Sequence, residues 1–187
     1  MILLAGCGLG DGSCIEETVL TYTVLDKYHL DYTPVAEDTS IRSVNHITEQ
    51  PEENRHLLKE AARIGRGKIQ ALSKIKLDEY DALLIPGGIG LLVNYRGSDA
   101  VKACVEHFIR RKKPIGTMCA GLDFFREILG KGFLQEEVKE LTVQDYVCDF
   151  ERNIFYTPAF RKTGNCYDML QGIDAMIGAM KNCVEKP

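Results

Sequence analysis

The chain reads as a doubly wound α/β sandwich around a mostly parallel central sheet, and three observations predict it. Short, continuously apolar runs, "ILLAGC", "YTPVA", "ALLIP" and "PIGTMC", recur along the 187 residues. Longer segments with helical periodicity separate them. No repeat, low-complexity tract or Pro/Ser-rich linker interrupts the alternation, so residues 1–187 are expected to form one domain. Continuous hydrophobicity is what a strand covered by helices on both faces requires. Strand–helix alternation implies right-handed crossovers, which put ligand sites beyond the carboxyl ends of the strands.

Taken in order, "MILLAGC" imitates a lipoprotein cleavage box but lacks a basic leader and a long apolar core, so it reads as the first buried strand. Ser13 followed by Glu16 forms a capping box that opens a helix burying Ile15, Val19 and Tyr22. "YTPVA" is the second strand, followed by the loop "SVNHITE"; His29, His56 and His107 fall in or at the ends of helical stretches and read as surface residues. After "ALLIP", residues 101–112 set Val101, Cys104, Val105, Phe108 and Ile109 on one stripe. The run Arg110, Arg111, Lys112, Lys113 complements the negative end of that helix and is not a phosphate patch. "PIGTM" is the fourth strand and "LDFFREIL" its following helix. "LTVQDYV" and "NIFYTPAF" are the last strands, around a turn near Glu151 and Asn153. Met169, Ile173, Met176, Ile177 and Met180 give the final helix its core stripe.

Composition excludes several function classes. A net charge of −4 leaves no excess of cations for a nucleic-acid backbone or an anionic membrane. No run approaches the roughly 18 apolar residues of a membrane helix. Seven scattered cysteines, without a CxxC pair or zinc-like spacing, point to free thiols, no metal and a cytoplasmic protein.

The strand ends carry the chemistry. "GCGLGDGS" fails the dinucleotide fingerprint, because Asp11 or Ser13 stands where the third glycine belongs. Its glycines instead allow close backbone approach. Gly87-Gly88 after "ALLIP" is either a plain turn or an exposed backbone donor for an oxyanion. Cys119 lies between a strand and a helix, with Ala120 and Gly121 behind it, as a nucleophile elbow requires. A helix N-terminus there is expected to lower the thiol pKa; the alternative is a cysteine packed as a small hydrophobe. Among the histidines only His46 sits at a plausible site edge. Glu17, at the start of the first helix, serves either the helix dipole or, partly buried, as proton shuttle to Cys119.

Together "EETVL" with Glu17, "LLIPGG" with Gly87 and Gly88, and "MCAG" with Cys119 resemble the DJ-1/PfpI superfamily. "GCGLGDGS", "NHIT", "NRHLLKEAARIGRG" and "TPAF" are similar to its enhancing-lycopene-biosynthesis, or sigma cross-reacting, branch. The resemblance implies a flavodoxin-like, class I glutaminase-type three-layer sandwich and a homodimer. It also implies that Cys119 is the nucleophile, Glu17 its partner carboxyl with His46 as assistant, and Gly88 with Ala120 the oxyanion donors beside Gly87. Relatives include glyoxalases that need no cofactor and convert methylglyoxal or glyoxal to the hydroxy acid. Others act as redox sensors or chaperone-like stress proteins through the same cysteine. Peptidase members resemble a Cys-His pair at the elbow, whereas Ala120 follows Cys119 here. An amidotransferase reading needs a histidine after the nucleophile, and all four histidines precede Cys119.

Overall fold

A computed structural model describes residues 1–162 and 164–185. In chain order it contains β1 (Ile2–Leu3), β2 (Cys7–Gly8), β3 (Ser13–Cys14), α1 (Ile15–Lys27), β4 (Pro34–Ala36), β5 (Ser40–Val44), β6 (Pro51–His56) and α2 (Leu57–Ile64). Then follow β7 (Gln70–Ala71), β8 (Leu83–Ile85), α3 (Gly90–Asn94), α4 (Asp99–Arg110), β9 (Ile115–Met118), α5 (Gly121–Leu129), β10 (Val147–Asp149), β11 (Ile154–Thr157) and α6 (Cys166–Glu185). Seven strands form the central sheet in the order β10-β11-β9-β8-β1-β4-β7. All neighbours are parallel except β10 on β11. Helix α1 packs on α6, and α6 covers β9 and β11. This is the expected flavodoxin-like sandwich, and its β1, β8 and β9 are fully or almost fully buried, as their unbroken apolar runs require.

The expected stripes of α4 and α6 face the core: Val101, Cys104, Val105 and Phe108 are buried, as are Met169, Ile173, Met176, Ile177 and Met180. Burying a side chain such as Phe108 stabilises the fold by about 1.5–3 kcal/mol. Ser98 caps α4, its hydroxyl accepting from the Val101 N–H at 3.1 Å.

Helix α1 departs from expectation. Ser13 makes no capping box; its hydroxyl accepts from the Ala5 N–H at 2.9 Å, and Cys14 takes the N-cap position without a side-chain bond. Ile15 and Val19 point to solvent, 45% and 47% exposed, while Glu17, Thr18, Thr21, Val24 and Leu25 face inward. The inversion is tolerable because the buried threonines satisfy themselves: Thr18 donates to the Cys14 carbonyl at 2.7 Å and Thr21 to the Glu17 carbonyl at 2.8 Å. Tyr22 is half-buried and stacks on Tyr32, with ring centroids 5.1 Å apart.

Other differences are local. The chain between the second strand and α2 folds into a β5–β6 hairpin, so His56 ends a strand, 2.9 Å from Asp38, and is not helical. His107 is mostly buried, edge-on to Phe108. Of "LTVQDYV" only Val147 joins a strand, because Asp145 accepts from both the N–H and the hydroxyl of Thr142 at 2.7 Å and closes a turn.

Candidate active site

The elbow is built at the end of β9. The Cys119 N–H donates to the Thr157 carbonyl at the tip of β11, and Cys119 itself adopts φ +49°. A non-glycine residue in this left-handed region costs on the order of 1–3 kcal/mol, and the strain turns its side chain off the strand end. Gly121 explains the small residue two positions on: a Cβ there would run into the Thr117 hydroxyl, which is fixed by its bond to the Ile85 carbonyl at 2.9 Å.

Opposite the elbow, α1 delivers Glu17, which is fully buried. Gly87 is the space between them. A Cβ at position 87 would collide with Glu17 Oε2 and lie 2.8 Å from Cys119 Cβ. The Phe160 and Gly87 N–H groups and the Cys119 thiol face the carboxyl, yet neither oxygen reaches a partner in full hydrogen-bond geometry. Burial therefore wins over these donors and lifts the Glu17 pKa to about 7.

The thiol behaves contrary to the sequence expectation. Burial first, and the negative charge of Glu17 second, push Cys119 up to about 12. The Ala120 N–H and the Arg161 guanidinium pull it down without prevailing. The helix end beside the sulfur is weaker than the loss of water around it, so the resting thiol is protonated and faces the adjacent carboxyl.

The two glycine loops pack together. Cys14 N–H donates to the Gly87 carbonyl at 2.8 Å, and Gly88, at φ +116°, leaves no room for a side chain because a Cβ would lie 2.6 Å from Cys14 N. Among the described residues, neither the Gly88 nor the Ala120 N–H donates to a backbone carbonyl, and Ala120 directs its N–H at the Cys119 sulfur. His46 sits on the other side of the first loop. Its Nε2 accepts from the Leu9 and Gly10 N–H groups at 2.9 and 3.2 Å, which leaves Nδ1–H to donate to the Val44 carbonyl at 3.0 Å. Both ring nitrogens are thereby engaged in holding the loop.

A cleft of about 680 Å³ opens between the first glycine loop and the β5–β6 hairpin, lined among others by Cys14, Ile15, Glu16, His46, Arg55 and Phe160; Glu17 and Cys119 do not line it. A larger cavity of about 770 Å³ lies at the opposite strand ends, against Thr33-Pro34 and Ile69-Gln70, and holds none of the site residues. Sequence reasoning missed Phe160, Arg161 and Tyr156. Phe160 lies at the end of "NIFYTPAF", expected as strand throughout, but the strand stops at Thr157 and a 3-10 turn carries Phe160 and Arg161; nothing local in the sequence signals a contact spanning some 40 residues to the elbow. Among the described residues no cluster of three or more His, Cys, Asp or Glu is arranged for a metal ion.

A solved structure from Ehrlichia chaffeensis, described as an isoprenoid biosynthesis protein with an amidotransferase-like domain, superposes with a TM-score of 0.88 at 30% identity, covering 97% of this chain and 98% of that one. The "ES1 protein homolog, mitochondrial" of Rattus norvegicus is 28% identical over 94% of this chain and 80% of its own length. The human "Glutamine amidotransferase-like class 1 domain-containing protein 3, mitochondrial" is 32% identical over 63% of this chain, an alignment that spans about half of that protein, 49%. Both mammalian relatives are described as mitochondrial, which overturns the cytoplasmic expectation. All seven cysteines are free thiols, but thiols report redox poise and not address. The DJ-1/PfpI family model matches residues 17–128, from the buried carboxyl through both glycines to the helix behind the elbow. The chain therefore belongs to the DJ-1/PfpI family.

Proposed function

We propose that the chain is a glyoxalase-type enzyme that converts small 2-oxoaldehydes, methylglyoxal or glyoxal, to the hydroxy acid through Cys119. The observation that carries this reading is the Glu17 carboxyl, buried against Cys119 across Gly87 and poised to exchange a proton near neutrality. Cys119 Sγ attacks the aldehyde carbon while its proton passes to Glu17. The resulting oxyanion sits where the Gly88 and Ala120 N–H groups can donate to it. Glu17 hands the thiol proton to the oxyanion and, ionised again, removes the hydrogen from the hemithioacetal carbon and returns it to the neighbouring carbon through an enediol, while the hemithioacetal hydroxyl proton passes to the neighbouring oxygen. The thioester so formed is hydrolysed by water, releasing lactate from methylglyoxal and restoring the thiol. Electrons move only between the two carbons of the substrate, so the cycle needs no external oxidant. His46 acts here by shaping the loop.

Amide hydrolysis of the kind its relatives' names suggest is disfavoured, since no histidine follows Cys119. Redox sensing would use the same sulfur, but the thiolate is the form that peroxide oxidises, and this thiol holds its proton. The homodimer belongs to the same reading, supported by Ile15 and Val19, which α1 turns to solvent where a second copy could cover them. Lactate formation from methylglyoxal tests the enzyme: it is expected for the native protein and absent for Cys119→Ala, and equal rates for the two remove the proposal.

A further inference from the structure

Cys119 is held by its carbonyl as well as by its sulfur. Arg161 Nε donates to the Cys119 carbonyl at 2.9 Å, closer than the Leu122 N–H at 3.3 Å or the Tyr156 hydroxyl at 3.5 Å. The same guanidinium reaches the Asp123 carboxylate in the first turn of α5. Arg161 ends a short 3-10 turn, Ala159–Arg161, that follows β11, and the preceding Phe160 N–H faces Glu17. One turn therefore touches both halves of the reacting pair. Its arrangement suits arginine: one rigid planar fork donates from Nε to the carbonyl and from a terminal nitrogen to the carboxylate in a fixed geometry, whereas a lysine offers only a compact ammonium on a flexible stem.

We propose that Arg161 is a positioning residue for Cys119, clamping the carbonyl of the strained elbow to Asp123 and holding a cation beside the elbow. This rests on Cys119 being the reactive thiol, as proposed above. The elbow needs such a clamp because φ +49° is a conformation cysteine leaves readily once nothing holds it. The charged groups that face the thiol are Glu17 from α1, which raises its pKa, and Arg161 from the turn, which lowers it. Tyr156 of β11 lies close enough to Cys119 for their charges to interact, and Asp123 of α5 faces the thiol only through Arg161. Removing Arg161 and removing Asp123 should therefore move the thiol in opposite directions.

The test is the pH dependence of iodoacetamide alkylation at Cys119, read by peptide mass spectrometry so that the other six thiols do not interfere. In Arg161→Gln the midpoint is expected to rise by half to one pH unit, about three- to tenfold less thiolate at a fixed pH. Arg161→Lys should keep part of the native midpoint, since it retains the charge and loses the fork. Asp123→Asn, which leaves the guanidinium unneutralised, should lower the midpoint. A melting temperature is recorded for each variant. Folded Arg161→Gln with an unmoved midpoint overturns the proposal, and so does Asp123→Asn without a downward shift if Arg161→Gln fails to fold. The readout is independent of aldehyde turnover. Absent lactate formation with intact midpoint shifts would sink the glyoxalase reading and leave the clamp standing.

Discussion

Cys119 after β9 and Cys104 on α4 are chemically alike at first sight: both are removed from water, and burial pushes both thiols up to about 12. Their surroundings differ completely. Cys104 is 1% exposed on the apolar face of a regular helix beside Val101, Val105 and Phe108, where a protonated thiol is the end of the story. Cys119 is half-buried in a strained turn, with a buried carboxyl able to take its proton and the Ala120 N–H directed at its sulfur. Acidity alone would not tell the two apart. What marks a nucleophile here is a partner for the proton and a seat for the charge that develops, and only the strand-end region supplies both.

The contrast can be broken or sharpened in order of expected effect. Glu17→Gln keeps the shape of the site but removes the base, and should lower kcat for lactate formation by about 10²–10⁴-fold. It should also shift Cys119 alkylation to lower pH, because the Glu17 charge helps hold the thiol proton, while Cys104 alkylation in partly unfolded protein stays unchanged. Gly87→Ala drives a methyl group into Glu17 and Cys119; a loss of about 1–3 kcal/mol in urea-melt stability is expected, together with loss of lactate formation.

Stability against pH reads Glu17 directly. Its pKa is raised from 4.5 to about 7 on folding, so the unfolded chain releases this proton first and the native state is progressively disfavoured as pH rises through that window. A decline of about 3 kcal/mol from this group between pH 4.5 and 7 follows, full stability lying below the lower value. Urea melts across this range should show the slope in the native protein and its absence in Glu17→Gln. The smallest effect belongs to Cys104→Ala, which should cost about 1 kcal/mol for the lost sulfur contacts and leave turnover intact. Activity loss there, without unfolding, would erase the distinction between the two thiols.

Much of the fold was legible because strand burial writes itself into continuous apolar runs: β1, β4, β8 and β9 all fall within the expected segments, and so do the stripes of α4 and α6. The hairpin at 40–56 was missed although "SIRSV" alternates, since a short exposed β-ribbon has little apolar content to announce it. Helix α1 was turned the wrong way round for a more interesting reason. Hydrophobic pattern places Ile15 and Val19 inside, but Glu17 occupies the face toward Cys119, and Thr18 and Thr21 can follow it inward by bonding their own backbone. Where a polar residue is buried for its chemistry, apolar periodicity points away from it.

From the order of residues alone came the alternation of strands and helices, the small residues that let the chain turn at each strand tip, and the sequence of Glu17, Gly87-Gly88 and Cys119 along those tips. These are local properties, set by side-chain size, backbone freedom and the period of hydrophobicity. The protonation of the site was decided elsewhere. Desolvation depends on every group packed around an atom, so the raised Cys119 and Glu17, the engagement of both His46 nitrogens and the grip of Arg161 on the elbow exist only once distant segments close over one strand end.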